Sequence, residues 1–532
     1  MFTSKRVGIL NDKSIDDNHG SNISRRDFLQ QTGAGMASVA ALSAMPNSIA
    51  HAMSKKGNSI IALSALELSK AIHRREISCI EVMSAYLNHI DKINPTYNVI
   101  VSLREREKLL AESKQCNSEL AKGQSRGWMH GFPHAIKDLA DVAGLKTTMG
   151  SPIFKDNVAK TDSILSSRVK QAGAIIIGKT NVPEFGLGSH TYNPLFGPTL
   201  NPYDGTSSAG GSSGGAAAGL ALQMLPVADG SDLMGSLRNP AAFNNVIGFR
   251  PTPGLVPLSD SFKEELPCNG PMARNVTDTA MFLSTLAGHH PASPSSLNSN
   301  PKEFTRSLKK EFKGVKVGWL GDFDGYLNME DGVLSLCEKA LQGFRDVGAV
   351  VDPVTLDYSM AELWQTWLTF RHWLVRAEAL PLYDNPETRA LLKPEAIWEI
   401  EGGVNLTADT VSQASAARAR WYAALLKAFN THDYLVLPTA QVFPFDAKQN
   451  WPKEINGKQM DTYHRWMEVV IPGTLSGCPV VNVPAGFGAN RLPMGLQIIG
   501  KRYADFSVLQ MAYAYEQATR WNLDMHPPVL SV

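Results

Sequence analysis

The chain has 532 residues, 43% of them hydrophobic and 19% charged, a composition that supports a large buried core and excludes a disordered chain or a coiled coil. Its 51 basic and 50 acidic side chains leave a formal charge of +1, so there is no electrostatic footprint for nucleic acid or an anionic membrane, and a polyanionic substrate is not expected. The five cysteines (Cys79, Cys116, Cys268, Cys337 and Cys478) are scattered without a CxxC spacing, which argues for buried free thiols rather than a disulfide framework or a zinc site.

Residues 1–52 stand apart. Ser24-Arg25-Arg26-Asp27-Phe28-Leu29-Gln30 leads into a run from Gln30 to Ala50 with no charged side chain. Thr32 to Met45 is apolar and rich in Gly, Ala and Ser, too short to span a bilayer, and Ala50-His51-Ala52 fits a small-x-small cleavage site. The segment resembles a twin-arginine export signal. Cleavage after Ala52 would leave residues 53–532, with 46 basic and 46 acidic side chains, as a periplasmic or secreted protein without a membrane anchor. Because that route carries folded proteins, it agrees with cysteines that need no oxidising compartment.

Ser64-Ala65-Leu66-Glu67 is a capping-box pattern that opens a helix running towards Arg75, and Ser78 to Ile93 reads as a second amphipathic helix. Further on, Ala174–Ile177, Val315–Trp319, Val350-Val351, Tyr434–Leu437 and Val480–Val483 are short apolar runs of the kind found in buried strands, with helical stretches between them. The alternation predicts an α/β protein whose central mixed sheet is covered on both faces by helices. Length alone would allow three or four domains of roughly 150 residues. The one soft boundary, the polar loop from Gly288 to Pro301, reads instead as a surface loop within a single catalytic domain over 53–532. Leu363 to Trp421 is mostly helical, with Trp364, Trp367, Phe370, His372 and Trp373 close together.

The densest chemical signal lies between Asn201 and Pro257. Gly205 to Gly215 could be a flexible linker by composition, but it feeds directly into the small-residue helix Ala216–Leu222, whose first turn is expected to turn free N–H groups towards the Ser-Gly loop. A phosphate loop would need GxxxxGK, and the Lys is missing. Gly210-Gly211-Ser212-Ser213-Gly214 also fits the GxSxG elbow of an α/β-hydrolase. In Gly230-Ser231-Asp232-Leu233-Met234-Gly235-Ser236, the amides of Leu233, Met234, Gly235 and Ser236 in a tight turn could converge as an oxyanion hole, with Ser236 placed to attack. A serine hydroxyl needs a base. Lys137, in the apolar run Pro133–Ala140, is a candidate, since desolvation favours a neutral amine, although the same Lys could be a surface residue paired with Asp138. Lys179 is a weaker competitor.

The blocks MHGFPHAIKDLADVAGLKTTMGS, GKTNVPEFGLGSHTYNPLFGPTLNP, GGSSGG, GSDLMGSLRNPAAFNNVIGFRPTPGLVP, GPMARNVTDTA and LPMGLQIIGKRYAD resemble, in order, those of the amidase signature family, over about Leu63 to Thr519. The resemblance implies a Ser-Ser-Lys triad. Ser236 would be the nucleophile, Ser212 the proton relay (typically through a cis peptide bond) and neutral Lys137 the base, with no metal or cofactor. Asp232 and Arg238 would hold the nucleophile turn, and Ser213 would orient Ser212. Met234 departs from the Gly usual at that position, keeping the N–H but placing a thioether beside the nucleophile.

The expected reaction is hydrolysis of the C–N bond of a small-molecule amide through an acyl-enzyme on Ser236, by a monomer or homodimer. The same triad would also serve an esterase, a urethane hydrolase or an aryl-amide hydrolase. The amidotransferases that act on glutamyl-tRNA have a catalytic component with the same fold and triad, but that role conflicts with the export signal. The α/β-hydrolase alternative needs Ser212 with a downstream His372, His432 or His464. His130 and His134 are four apart, but the intervening Gly131-Phe132-Pro133 excludes a helical HExxH metal site. The aromatic cluster from Trp364 to Trp373 and the loops before Leu63 are the expected pocket walls.

Overall fold

The computed structural model describes residues 57, 59–258 and 266–531. The expected export signal and its cleavage site lie outside the described residues.

Both helices of the entry segment form where their caps place them. Ser64 caps Ala65–His73 and Ser78 caps Cys79–Tyr97, each in a reciprocal bond with a Glu three residues on, Glu67 and Glu81. The second helix runs four residues past its predicted end and stops at Asn98, which adopts the left-handed conformation.

The strands form two sheets rather than one. β1 (Ile100–Val101), β2 (Pro133–Lys137) and β3 (Ile175–Thr180) make a three-stranded sheet in the order β1-β3-β2, with β2 parallel and β1 antiparallel to β3. The large sheet has eight strands in the order β4-β6-β5-β12-β13-β9-β7-β8. Its members are β4 (Ala228–Asp232), β5 (Ile247–Arg250), β6 (Cys268–Ala273), β7 (Lys316–Trp319), β8 (Val350–Pro353), β9 (Tyr434–Pro438), β12 (Val480–Phe487) and β13 (Pro493–Ile499). A small hairpin, β10 (Glu454–Ile455) and β11 (Lys458–Gln459), lies outside both sheets. Five neighbouring pairs from β4 to β9 are antiparallel, while β9, β7 and β8 run parallel, so the sheet is mixed as predicted.

The central strands β12 and β13 are almost wholly buried, as their apolar runs require. β8 is different. Val350 is 45% exposed, because β8 is the edge strand and ends at Pro353, which has no N–H to offer a further neighbour.

One continuous core runs under the large sheet and the entry helices. A second, smaller cluster packs Val375 and Ala379 of the helix Met360–Asp384 and Ala396 and Ile400 of the helix Pro394–Gly402 against Phe185 and Leu187. All five cysteines are free and buried.

Candidate active site

β2 ends on Lys137, Ser212 and Ser213 precede the helix Gly214–Ala221, and β4 runs into the turn that carries Ser236. The seam between the sheets is tied by Asp229 on β4. Its Oδ2 accepts the backbone N–H of Lys137 at 3.1 Å, and its Oδ1 lies 3.0 Å from His134 Nε2. This bond places the last residue of β2 against β4 and aims the Lys137 side chain at the Ser-Gly loop.

Lys137 is buried, not a surface residue. Its Nζ lies 2.8 Å from Ser212 Oγ, 2.8 Å from Ser213 Oγ and 2.9 Å from Ser231 Oγ. Three hydroxyls satisfy either protonation state. They accept three N–H bonds from an ammonium, or accept two from a neutral amine while the third hydroxyl donates to its lone pair. The proton can therefore leave without a side chain being stranded. Burial lowers the Lys137 pKa to about 7, against the opposing pull of Asp229 and Asp232.

Ser212 sits on a cis Gly211–Ser212 peptide, the geometry that the resemblance implies. Ser213 does not orient Ser212 as expected; its hydroxyl engages Lys137 instead. The helix N-terminus is also not free. Gly214 N–H donates to Thr191 Oγ1 at 3.1 Å and Gly215 N–H to the Asn181 carbonyl at 3.2 Å, so these amides are already committed within the fold.

The turn after β4 is organised around the Asp232 carboxylate. Arg238 donates to it through Nε and Nη2, both at 3.0 Å, and Arg250 Nη1 approaches at 3.3 Å. Burial alone would raise this carboxyl, but the two guanidiniums override it and hold it well below the usual carboxylate range. Arg238 is anchored in turn to the Val470 carbonyl, Gln497 Oε1 and Thr474 Oγ1. Asp232 is thus bonded to Arg238 and to the N–H groups of Gly235 and Leu237.

The same carboxylate corrects the predicted oxyanion hole. Gly235 N–H donates to Asp232 Oδ1 at 2.9 Å, which removes it from the set of available donors. The N–H groups of Leu233, Met234 and Ser236 have no internal hydrogen bond among the described residues. Gly235 itself has φ of +78°, and a Cβ there would stand 2.9 Å from Val470 side-chain carbons, so the turn depends on glycine for both conformation and space. The Ser236 hydroxyl has no hydrogen-bond partner among the described residues and opens into a cavity of about 340 Å³ that Lys137, Ser212, Ser231 and Met234 also line.

Two groups that the sequence pattern does not single out belong to this site, Asp229 and Ser231. They are two apart on β4, the spacing that puts residues on one face of a strand, and become readable once β4 is recognised. The predicted pocket walls are corrected as well. Trp364, Trp367 and Phe370 are buried in the main core and do not line the cavity, while most of the segment before Leu63 lies outside the described residues. The cavity is faced instead by Arg371, Leu374, Val375 and Glu378 of the same helix, together with Leu139, Met149, Phe185 and Met467.

The competing assignments do not fit. Lys179 is buried beside Asp138 at 4.0 Å and donates to the Ala140 carbonyl, so Asp138 is the neighbour of Lys179, not the partner of Lys137. Among the described residues no histidine is hydrogen-bonded to Ser212; His372 lies 3.0 Å from Glu399, and His464 Nδ1 lies 2.8 Å from Thr462 Oγ1. His130 Nε2 meets the Cys116 carbonyl at 2.9 Å, so His130 and His134 have separate partners.

The sequence pattern of the Amidase family matches residues 81–509. An acylamidase of Rhodococcus erythropolis is 32% identical over 466 residues, covering 86% of this chain and 96% of that protein. The A component of the glutamyl-tRNA(Gln) amidotransferase of Thermosynechococcus vestitus is 33% identical over 482 residues, covering 86% and 98%. The solved structure of a bacterial aryl acylamidase of the amidase signature family superimposes with a TM-score of 0.81 at 28% identity, covering 87% of this chain and 98% of its own.

Proposed function

The chain belongs to the amidase signature family and is an amidohydrolase of carboxylic C–N bonds, and we propose that it works through Ser236, Ser212 and Lys137. The observation that carries this reading is the 2.8 Å contact between a buried Lys137 Nζ and Ser212 Oγ at the wall of the cavity into which Ser236 opens. Ser236 Oγ attacks the amide carbonyl while its proton passes to Ser212, whose own proton passes to the neutral Lys137 amine. The oxygen of the tetrahedral intermediate is held by the free N–H groups of the turn, Leu233, Met234 and Ser236. The proton returns along the same chain to the leaving amine, the C–N bond breaks, and an acyl-enzyme remains on Ser236. Water, deprotonated by the same relay, then cleaves the ester and restores the serine.

The substrate is a small uncharged amide. Esters and urethanes present the same carbonyl to Ser236, and aryl amides fit the apolar cavity. The similarity to the glutamyl-tRNA(Gln) amidotransferase component supports a second reading, release of ammonia within a complex, which co-purification with partner chains would reveal. We also propose that residues 1–52 direct export by the twin-arginine route, so that the enzyme acts outside the cytoplasm as a monomer or homodimer. Replacing Arg25 and Arg26 by Lys should retain the chain in the cytoplasm of a native producer.

The decisive experiment traps the enzyme with a serine-directed fluorophosphonate and locates the adduct by mass spectrometry. The adduct is expected on Ser236, and Ser236→Ala should abolish both labelling and hydrolysis. An adduct on Ser212, or undiminished hydrolysis in Ser236→Ala, would overturn the assignment.

A further inference from the structure

The helix Met360–Asp384 turns both apolar and charged side chains to the cavity that holds Ser236. Arg371, Leu374, Val375 and Glu378 fall at the three- and four-residue spacing of one helical stripe, and that stripe faces the cavity. Among the described residues that line it, Arg371 is the one guanidinium.

Its side chain is held from behind. Nε donates to Glu399 Oε1 at 2.7 Å, and Nη2 donates to Tyr463 Oη at 2.9 Å. Tyr463 O–H in turn donates to the same Glu399 oxygen at 2.6 Å, closing a three-membered clamp. The guanidinium plane also lies over the Trp367 ring, 5.8 Å from its centroid. Glu399, Tyr463 and Trp367 do not line the cavity, so the clamp fixes the Arg from the protein side. Nη1 has no hydrogen-bond partner among the described residues. A guanidinium has five N–H donors, and a fixed one with unspent donors at a cavity wall is a preorganised receptor for an acceptor atom.

The charge of that acceptor follows from the surroundings. Glu399 already neutralises Arg371, and Asp141 and Asp229 line the same cavity, whereas the Asp162 there is paired with Lys170. A carboxylate would meet more negative than positive charge there. An uncharged oxygen meets no such opposition and still takes a charge-assisted bond.

We infer that Arg371 is a substrate-binding residue that selects amides carrying a second, uncharged oxygen acceptor, such as a ketone or a further amide carbonyl, away from the scissile bond. This rests on the amidase reading with Ser236 as nucleophile. The bond would orient an otherwise greasy substrate along the cavity and set which carbonyl reaches Ser236.

The test uses the nucleophile itself as reporter. Alkyl fluorophosphonates are prepared over a series of methylene linkers, each as a pair whose tail ends in a methyl ketone or in its isopropyl isostere, together with a carboxylate-ended member. Saturated linkers keep the phosphorus electronics equal within a pair. The wild-type enzyme is expected to be inactivated about tenfold or more faster by the ketone at the best linker length, the scale of one hydrogen bond to a charged group. In the charge-balanced double variant Arg371→Met with Glu399→Gln, the ratio should fall towards one. Equal rates across the wild-type series, a preference for the carboxylate, or a ketone preference that survives in the double variant would overturn the inference while leaving the nucleophile assignment intact. Absence of any adduct on Ser236 would instead overturn the amidase mechanism on which it rests. Because the wild-type series decides the question unaided, a double variant that fails to fold does not rescue the inference.

Discussion

Lys137 should make the stability of this protein depend on pH in a window set by its own titration. The folded chain binds the Lys137 proton with a pKa of about 7, against 10.5 for an ordinary lysine. Below about pH 7 both folded and unfolded states hold the proton. Above it the folded state has released the proton while the unfolded state keeps it up to 10.5, so unfolding takes up a proton and stability rises with pH. The slope is about 1.4 kcal/mol per pH unit, or ~5 kcal/mol over the whole window. Lys137→Met removes the titration and keeps much of the volume. It also removes three hydrogen bonds to serine hydroxyls, a loss independent of pH. The absolute stability of the variant is therefore a sum of opposing effects, but the change with pH isolates the lysine. Between about pH 7.5 and about pH 9.5 the wild type should gain about 2–3 kcal/mol relative to Lys137→Met. Urea unfolding of both proteins at matched ionic strength reads this directly, provided the m-values agree. Parallel curves for the two proteins would refute the argument. The same titration should appear in the wild-type kcat/KM as an acid limb near pH 7, falling roughly tenfold per unit below it.

Gly235→Ala should lower both stability and kcat/KM, because a Cβ at φ +78° would meet Val470 at 2.9 Å; a loss of about 2 kcal/mol or more in thermal unfolding is expected, and a neutral effect would contradict the turn geometry. Met234→Gly retains the backbone N–H and removes the thioether lining the cavity, so it should shift the preference towards bulkier amides in a panel of anilides and alkyl amides, an outcome that an unchanged ranking would exclude. Arg250→Gln withdraws one of the two cations that compensate Asp232, so more of that carboxylate's field reaches Lys137 and the acid limb of kcat/KM should move to higher pH. Arg250→Lys should leave the limb nearer its wild-type position, and a limb that ignores both substitutions would show that Asp232 is not felt at Lys137.

What can be read from the sequence is what is decided locally. The capping box at Ser64 involves residues three apart and forms where the pattern places it, and the helix read from Ser78 is capped in the same way. The runs that become β9 and β12 are apolar because both faces of a central strand are buried. β4 is not legible, because Ala-Asp-Gly-Ser-Asp has almost no strand propensity of its own and is a strand through its pairing with β6. With β4 hidden, Asp229 and Ser231 are hidden too. β2 poses the same problem, since a fully buried Pro-His-Ala-Ile-Lys shows no alternation, and the small sheet it belongs to does not announce itself. On the helix Met360–Asp384 the periodicity is visible but not its orientation. The aromatic stripe meets the core and the stripe through Arg371 meets the cavity, a choice made by the strands and loops packed against the helix.

The two carboxylates of β4, Asp229 and Asp232, bear on how a lysine could serve as the proposed base here. A buried lysine beside two aspartates would ordinarily pair with one of them and remain an ammonium. In this site neither aspartate is available. Asp229 has given one oxygen to His134 and the other to the backbone N–H of Lys137, and Asp232 is shared between Arg238 and Arg250 while also bonding the N–H groups of Gly235 and Leu237. What reaches the Lys137 nitrogen is a ring of three hydroxyls, which stabilise either protonation state without fixing one. The arrangement separates two tasks that share β4: its carboxylates build the frame of the nucleophile turn and the seam between the sheets, and its Ser231 joins the two serines of the Gly-rich loop in holding an amine that is free to exchange its proton. A change that returned either aspartate to Lys137 would therefore be expected to silence the site while leaving every proposed catalytic residue in place.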